Sequence, residues 1–216
     1  MDGNGRWAKK RLLPRTVGHR EGVKTLEKIV EAIYNLNVSC FTVYAFSTEN
    51  KERPEKEVKN LVKLIREFFS KSIKKFIKNQ IRIIVIGDKS FFESDIQDIM
   101  QKAEYDTKDF LDKTFVLALN YGARGEIVRA VNTVIEKGER VTEQNFGAFL
   151  DTKKVADPDI IIRTGGDMRL SNFLLYQAAY SELFFSNELW PDFSIEHIKN
   201  IIEQFNARTR KFGKIK

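Results

Sequence analysis

Two stretches of this 216-residue chain concentrate the residue types that grip phosphate. The first runs through Gly3, Gly5 and Arg6 to Arg15, Gly18, His19 and Arg20, just ahead of a helix expected to start near Glu21 or Gly22. Glycine exposes backbone N–H groups, a helix N-terminus adds the positive end of its dipole, and the arginine fork matches phosphate oxygens. The second is Arg163-Thr-Gly-Gly-Asp-Met-Arg169 with Leu170 and Ser171, in which two arginines flank a glycine pair beside a hydroxyl. Two separate anion cradles suit two phosphorylated substrates. Asp2 adds a carboxylate of the kind that holds Mg²⁺, a hard cation that takes oxygen ligands and substrate phosphates. Each cluster alone also has a plainer reading. Asp-Gly-Asn-Gly is an ordinary turn composition, arginines cap helices and pair with acids, a lone Asp in a turn is usually structural, and a lone histidine is usually a satisfied cap.

The elements that must position these residues alternate along the chain. Val23, Leu26, Ile29, Val30 and Ile33 follow helical spacing and lead into a strand at 40–46; a long amphipathic helix over 55–79, about 37 Å at ~1.5 Å per residue, precedes a strand at 81–86. Ile96, Ile99, Met100 and Ala103 predict a helix before the strand 115–119, and Ile127, Val128, Val131, Val134 and Ile135 another, followed by a shorter helix at 143–150. The next strand is 159–162. A helical segment at 172–180 then leads to a short strand at 183–185, and Ile195, Ile198, Ile201, Ile202 and Phe205 define the closing helix.

Near-continuous apolar strands alternating with helices predict an α/β fold: a mostly parallel central sheet flanked by helices, in one domain over 1–216. Ligands of open parallel sheets bind beyond the carboxyl ends of the strands. Chemistry is therefore expected at Ser47-Thr-Glu-Asn50, Gly87-Asp88, Asn120-Tyr-Gly122 and Arg163-Thr-Gly-Gly166. Residues 1–7 look like another such loop with no strand ahead of it.

Composition narrows the classes. Lys and Arg exceed Asp and Glu by 37 to 30, a net charge of +7 that favours anionic partners without naming them. Part of the excess, such as Lys71, Lys74, Lys75 and Lys78, belongs to solvated helix faces. Nucleic acid is disfavoured, because no helix-turn-helix or RNP-like signature occurs and the arginines sit in post-strand loops instead of one stripe. The longest apolar run, 115–119, is five residues, far short of the ~18–20 that span a bilayer. No signal segment opens the chain, so a soluble, cytoplasmic protein is expected. The single cysteine, Cys40, permits neither a disulfide nor a cysteine metal site and is assigned to the core. A P-loop and a post-strand G-x-G-x-x-G are both absent.

The segments Met1-Asp-Gly-Asn-Gly-Arg-Trp-Ala8, Gly18-His19-Arg20 with Gly22, Tyr44-Ala-Phe-Ser-Thr-Glu-Asn50 with Arg53-Pro54, Arg163-Thr-Gly-Gly166 with Arg169-Leu-Ser-Asn-Phe173, and Glu182-Leu-Phe with Trp190-Pro-Asp-Phe193 resemble, in order and over essentially the whole chain, the motifs of cis-prenyltransferases of the undecaprenyl diphosphate synthase type. The Asp-Asp-x-x-Asp clamps of trans-type prenyl synthases are absent. The resemblance implies an α/β enzyme with a hydrophobic tunnel that adds isopentenyl diphosphate units to an allylic diphosphate, with farnesyl diphosphate as primer, to make a long polyprenyl diphosphate such as undecaprenyl diphosphate. It implies that Asp2 binds Mg²⁺ and, with Asn50, serves catalysis. Gly3, Asn4, Gly5, Arg6, Trp7, Arg15 and His19 would hold the allylic diphosphate, and Ser47, Glu49, Arg53, Arg163, Arg169 and Ser171 isopentenyl diphosphate, with Glu57 near the condensing carbons. Glu182 would join Asp2 at the metal, acting with a neighbouring subunit of a homodimer. Product release implies peripheral contact with a membrane at its inner leaflet.

Phe68, Phe69 and the isoleucines of the long helix, with the strand ending at Phe46, could wall the tunnel, although each also satisfies core packing. The chain departs from the family pattern at Lys51, where Trp is common, at Asp167-Met168, which replaces Glu-His, and at Lys211-Phe212-Gly213, which keeps charge but loses an arginine fork. Relatives also carry an apolar strand immediately before the Asp-Gly-Asn-Gly segment, at the heart of the sheet, so a strand upstream of Met1 is expected. A non-catalytic partner of the same fold is the competing reading, and Asp2, Arg6 and the Arg163 cluster argue against it.

Overall fold

The computed structural model describes residues 1–208. β1 (Cys40–Ser47), β2 (Ile81–Ile86) and β3 (Lys113–Tyr121) form one sheet in the order β1-β3-β2, and β4 (Ile160–Arg163) pairs with β5 (Glu182–Phe185) in a second. Every pairing is parallel. On β2 and β3, Ile83, Val85, Phe115 and Leu117 belong to one buried cluster and Ile84, Ile86, Val116 and Ala118 to another. Alternate residues thus enter two apolar layers, which only a sheet covered on both faces allows. The expected α/β architecture of parallel strands flanked by helices holds, with the strands of the described residues grouped in two sheets instead of one, and β1 and β4 both line one cavity of about 1520 Å³.

Helical structure begins well ahead of the start near Glu21 or Gly22 that the sequence predicts. α1 (Asn4–Lys10) occupies the stretch read as a loop, and α2 (Arg15–Ile33) starts directly after Pro14. Only Ala8 of α1 is buried, so it carries no apolar period to detect. In α2 the glycines that resemble a loop are contact points. A Cβ on Gly18 would lie 2.0 Å from the Asn4 backbone oxygen, and one on Gly22 would lie 2.3 Å from Asn4 Oδ1. Their four-residue spacing puts both on the face that receives the start of α1.

α3 (Glu55–Lys78) buries Ile65, Phe68, Phe69 and Phe76, and Phe68 and Phe76 pack on Phe115 of β3. α4 (Ser94–Asp106) packs beside it, α5 (Ala123–Lys137) ends at Gly138 with φ +63, and α6 (Ile195–Asn206) closes the described chain. The helix expected at 143–150 is only a 3-10 turn at Phe146–Phe149. The helix expected at 172–180 is replaced by turns with a 3-10 stretch at Gln177–Tyr180, because Ser171, Asn172 and Leu174 adopt left-handed φ of 48°, 63° and 45°. The family-like Lys211-Phe212-Gly213 lies outside the described residues.

The first turn of α5 is tied down by a buried carboxylate. Tyr121 donates from its hydroxyl to Glu126 Oε2 (2.6 Å), Gln177 Nε2 donates to the same oxygen (3.0 Å), and the Asp151 N–H donates to Oε1 (2.9 Å). A buried acid is tolerated where donors meet both of its oxygens. The result anchors the end of β3.

Candidate functional site

The two arginine cradles meet at Asp2. Its backbone is clamped by Thr164, whose hydroxyl accepts from the Asp2 N–H (3.0 Å) and donates to the Asp2 carbonyl (2.9 Å), while the Trp190 N–H donates to that same carbonyl (2.9 Å). The carboxylate accepts from the Gly3 N–H (2.7 Å) through Oδ1 and from Arg163 Nη2 (3.0 Å) through Oδ2, with Arg6 Nη2 at 3.4 Å. Arg6 also donates to the Gly165 carbonyl (2.6 Å) and to Asp167 (3.2 Å), so the N-terminal segment and the post-β4 loop form one structure. Arg163 donates from Nη1 to the Arg169 carbonyl (2.5 Å) and to Ser171 Oγ (2.7 Å), and Arg169 pairs with Asp167 (2.9 Å). Three guanidinium groups share two carboxylates here, which leaves positive charge for an anionic ligand. Burial raises the Asp2 pKa, but the Arg163 hydrogen bond, the Gly3 N–H and the charges of Arg163 and Arg6 outweigh it and hold the carboxyl below its ordinary range.

A second basic group forms around Glu57 on α3. Its Oε1 lies 2.9 Å from Arg53 Nη1, 3.2 Å from Arg15 Nε and 3.4 Å from His19 Nε2. Burial, helped by the charges of Arg53 and Arg15, lowers the His19 pKa against the opposing pull of Glu57. The turn after β1 lines the same cavity, and in it Asn50 Oδ1 accepts from the Ser47 N–H (3.3 Å). Asn172 stitches three loops: its Oδ1 accepts from the Arg124 N–H (2.9 Å), its carbonyl from the Ala123 N–H (2.8 Å), and its Nδ2 donates to Glu49 (3.2 Å).

Asp2 and Asn50 line the 1520 Å³ cavity together with Gly3, Asn4, Gly5, Arg6, Arg15 and His19 of the first expected set and with Ser47, Glu49, Arg53, Arg163, Arg169 and Ser171 of the second. Trp7 does not. Its Nε1 donates to Asp192 (2.7 Å), and its ring carries the Arg11 guanidinium at 4.1 Å. Nor does the chain bring Glu182 to Asp2: Glu182 opens β5 opposite Ile160, whereas Arg163 is level with Phe185, about 10 Å along the strand at ~3.3 Å per residue. The Glu182 carboxylate pairs instead with Arg208. Gly87-Asp88 stands apart, its Gly87 N–H donating to Asp151 (3.0 Å), and Asn120, whose Nδ2 donates to the Asp88 carbonyl (2.8 Å), stays with it, so two of the four post-strand segments, those after β1 and β4, reach the cavity.

The expected tunnel wall is corrected as well. α3 contributes Leu61 alone to the cavity lining, since Phe68, Phe69 and Phe76 are spent on the core, while β1 contributes Phe41, Val43 and Ala45. Cys40 lines this cavity half-buried instead of sitting in the core, with its thiol pKa pushed up by burial. Among the described residues no cluster of three or more His, Cys, Asp or Glu side chains could hold a metal. Asp2 suits the mode in which a carboxylate and the substrate phosphates share Mg²⁺. Thr164, Asp167 and Asn172 lay inside motifs read from the sequence, yet their clamping roles depend on contacts with residues more than 100 positions away.

The profile of the family described as "Putative undecaprenyl diphosphate synthase" matches residues 1–213. The chain belongs to this prenyltransferase family. An isoprenyl transferase of Fusobacterium nucleatum is 48% identical over all of this chain and 94% of its own length, and one of Helicobacter pylori is 44% identical over all of this chain and 95% of its own. Among solved structures, lavandulyl diphosphate synthase from Lavandula x intermedia, in complex with dimethylallyl diphosphate, superimposes with a TM-score of 0.94 at 31% identity, covering 99% of this chain and 95% of that one. A probable undecaprenyl diphosphate synthase from Campylobacter jejuni gives 0.83 at 39% identity over 90% and 93%. Membership in this prenyltransferase family agrees with the parallel α/β architecture.

Proposed function

We propose that the protein condenses isopentenyl diphosphate with an allylic diphosphate, farnesyl diphosphate as primer, in successive cis additions that yield a long-chain polyprenyl diphosphate such as undecaprenyl diphosphate, precursor of the lipid carrier for cell-wall synthesis. One observation carries the reading: Arg163 touches Asp2 of one cradle and Ser171 of the other. Two diphosphates bound on either side of one guanidinium hold their carbon chains side by side, and proximity replaces a bimolecular encounter.

The allylic diphosphate rests on the N–H groups of residues 4–6 and on the side chains of Asn4, Arg6, Arg15 and His19, against the turn at Gly3, with donors aimed where negative charge grows as its C–O bond breaks. Asp2 would hold Mg²⁺ jointly with that diphosphate, and the ion supplies charge neutralisation to the leaving group. Arg163, Arg169 and Ser171 hold isopentenyl diphosphate, while Ser47, Glu49, Asn50 and Arg53 border the reacting carbons. The double bond of isopentenyl diphosphate attacks the allylic carbon, and a proton leaves as the new double bond closes. Val43, Leu61, Phe193 and Ile198 give the growing hydrocarbon an apolar wall.

The test supplies radiolabelled isopentenyl diphosphate, farnesyl diphosphate and Mg²⁺. Solvent-extractable labelled product of long chain length is expected, and its absence from folded protein refutes the assignment.

The proposal extends to a homodimer in the cytoplasm. Val128, Val131 and Ile135 on α5 are 59%, 42% and 70% exposed at helical spacing, an apolar stripe that a second copy would cover. Glu182 would then act across the interface. Ile135→Glu is expected to shift the protein from dimer to monomer in light scattering; an unchanged mass removes α5 from the interface. No described helix is long and apolar enough to cross a membrane.

A further inference from the structure

The turn joining α1 to α2 places an apolar residue where both local backbone and solvent oppose it. The Leu13 N–H donates to the Ala8 carbonyl (2.9 Å) and the Leu12 N–H to the Lys9 carbonyl (3.1 Å), the hydrogen-bond pair of a Schellman closure. Leu12 therefore occupies the left-handed position that helices ordinarily give to glycine, with φ +55. It is 96% exposed, and Leu13 beside it is 41% exposed.

The surroundings say what this tip meets. Lys9 and Lys10 are exposed and have no ion-pair partner among the described residues. The nearby acids are already matched, Asp192 by Arg11 and Glu21 by Lys24. Lys9, Leu12 and Leu13 also line the cavity that holds both cradles. Two free ammonium groups behind a pair of exposed leucines are complementary to a surface with anionic phosphates outside and hydrocarbon beneath.

We propose that residues 9–13 dock the protein on an anionic lipid bilayer, with Leu12 and Leu13 entering the acyl boundary and Lys9 and Lys10 lying among lipid phosphates. The inference deepens the prenyltransferase reading and rests on it for its purpose: a cavity mouth held against the bilayer passes a hydrocarbon product into lipid without exposing it to water.

Sedimentation of the whole chain, without substrate, with phosphatidylcholine vesicles with and without phosphatidylglycerol tests it. Binding is expected only with the anionic lipid and should weaken as salt is added. Leu12→Gly should lower partitioning about tenfold or more while melting no lower than wild type, because glycine suits that conformation. K9Q/K10Q should lower it by roughly tenfold or more from two lost charges near the surface. Failure of the wild type to bind phosphatidylglycerol vesicles, or binding by Leu12→Gly equal to wild type, overturns the proposal. Since no substrate is present, this readout is independent of the condensation assay, and either idea can fail without the other.

Discussion

Asp2→Ala is expected to lower the rate of condensation by about 10²–10³-fold or more, the scale on which loss of one preorganised stabiliser of transition-state charge is felt. The expectation rests on position. Thr164 and Trp190 hold the Asp2 backbone, and the carboxylate stands between Arg6 and Arg163 where the two cradles touch. Asp167, the neighbouring carboxylate, is engaged by Arg169 as well as Arg6, so it is not free to take over the place of Asp2. Stability should change little. The carboxylate is partly exposed, its ion pairs are solvent-screened, and Asp167 remains to balance the arginines. The sign of its pH dependence follows from a depressed pKa: its contribution is fully present above the ordinary aspartate value and is lost as pH falls through the lower folded value. Activity near neutrality should therefore show no titration from Asp2. Label incorporation beside a circular-dichroism melt checks both parts, and turnover equal to wild type would remove Asp2 from the chemistry.

Gly18→Ala is expected to cost about 3 kcal/mol or more, at the top of the range for overpacking. Alanine inside a helix normally gains up to about 1 kcal/mol over glycine, so the predicted sign is opposite to propensity. The reason is that the new Cβ would sit 2.0 Å from the Asn4 backbone oxygen. That oxygen belongs to the segment carrying Asp2 and Arg6, which must move away from α2, and activity should fall with stability. Gly22→Ala should cost less, because the nearest atom it meets is the Asn4 side-chain oxygen, which can rotate, and the Trp190 ring lies farther off at 3.0 Å. Urea denaturation of both variants decides it; a Gly18→Ala protein more stable than wild type would show that the close approach of α1 and α2 is not as described.

β2 and β3 were legible because they are buried on both faces, so runs such as Ile81–Ile86 read as almost uninterrupted apolar sequence. The site was legible for a different reason: glycine, arginine and hydroxyl residues cluster in loops that follow strands. What escaped were features that depend on distant partners. α1 has almost no apolar face, and the glycines of α2 look like loop residues until Asn4 is brought against them. The division into two sheets is a matter of pairing, which local pattern does not encode. Glu182 follows a strand-like pattern in the sequence, but only the register with Ile160 reveals that it faces the far end of its sheet from Arg163.

Arg163 has one further consequence. Until a ligand claims its charge, Asp2 and Ser171 both draw on the same guanidinium, so filling either half of the mouth alters the field in the other. Linkage makes that influence mutual: whatever the first guest does to the affinity for the second, the second does equally to the first, and the order of arrival cannot change the total.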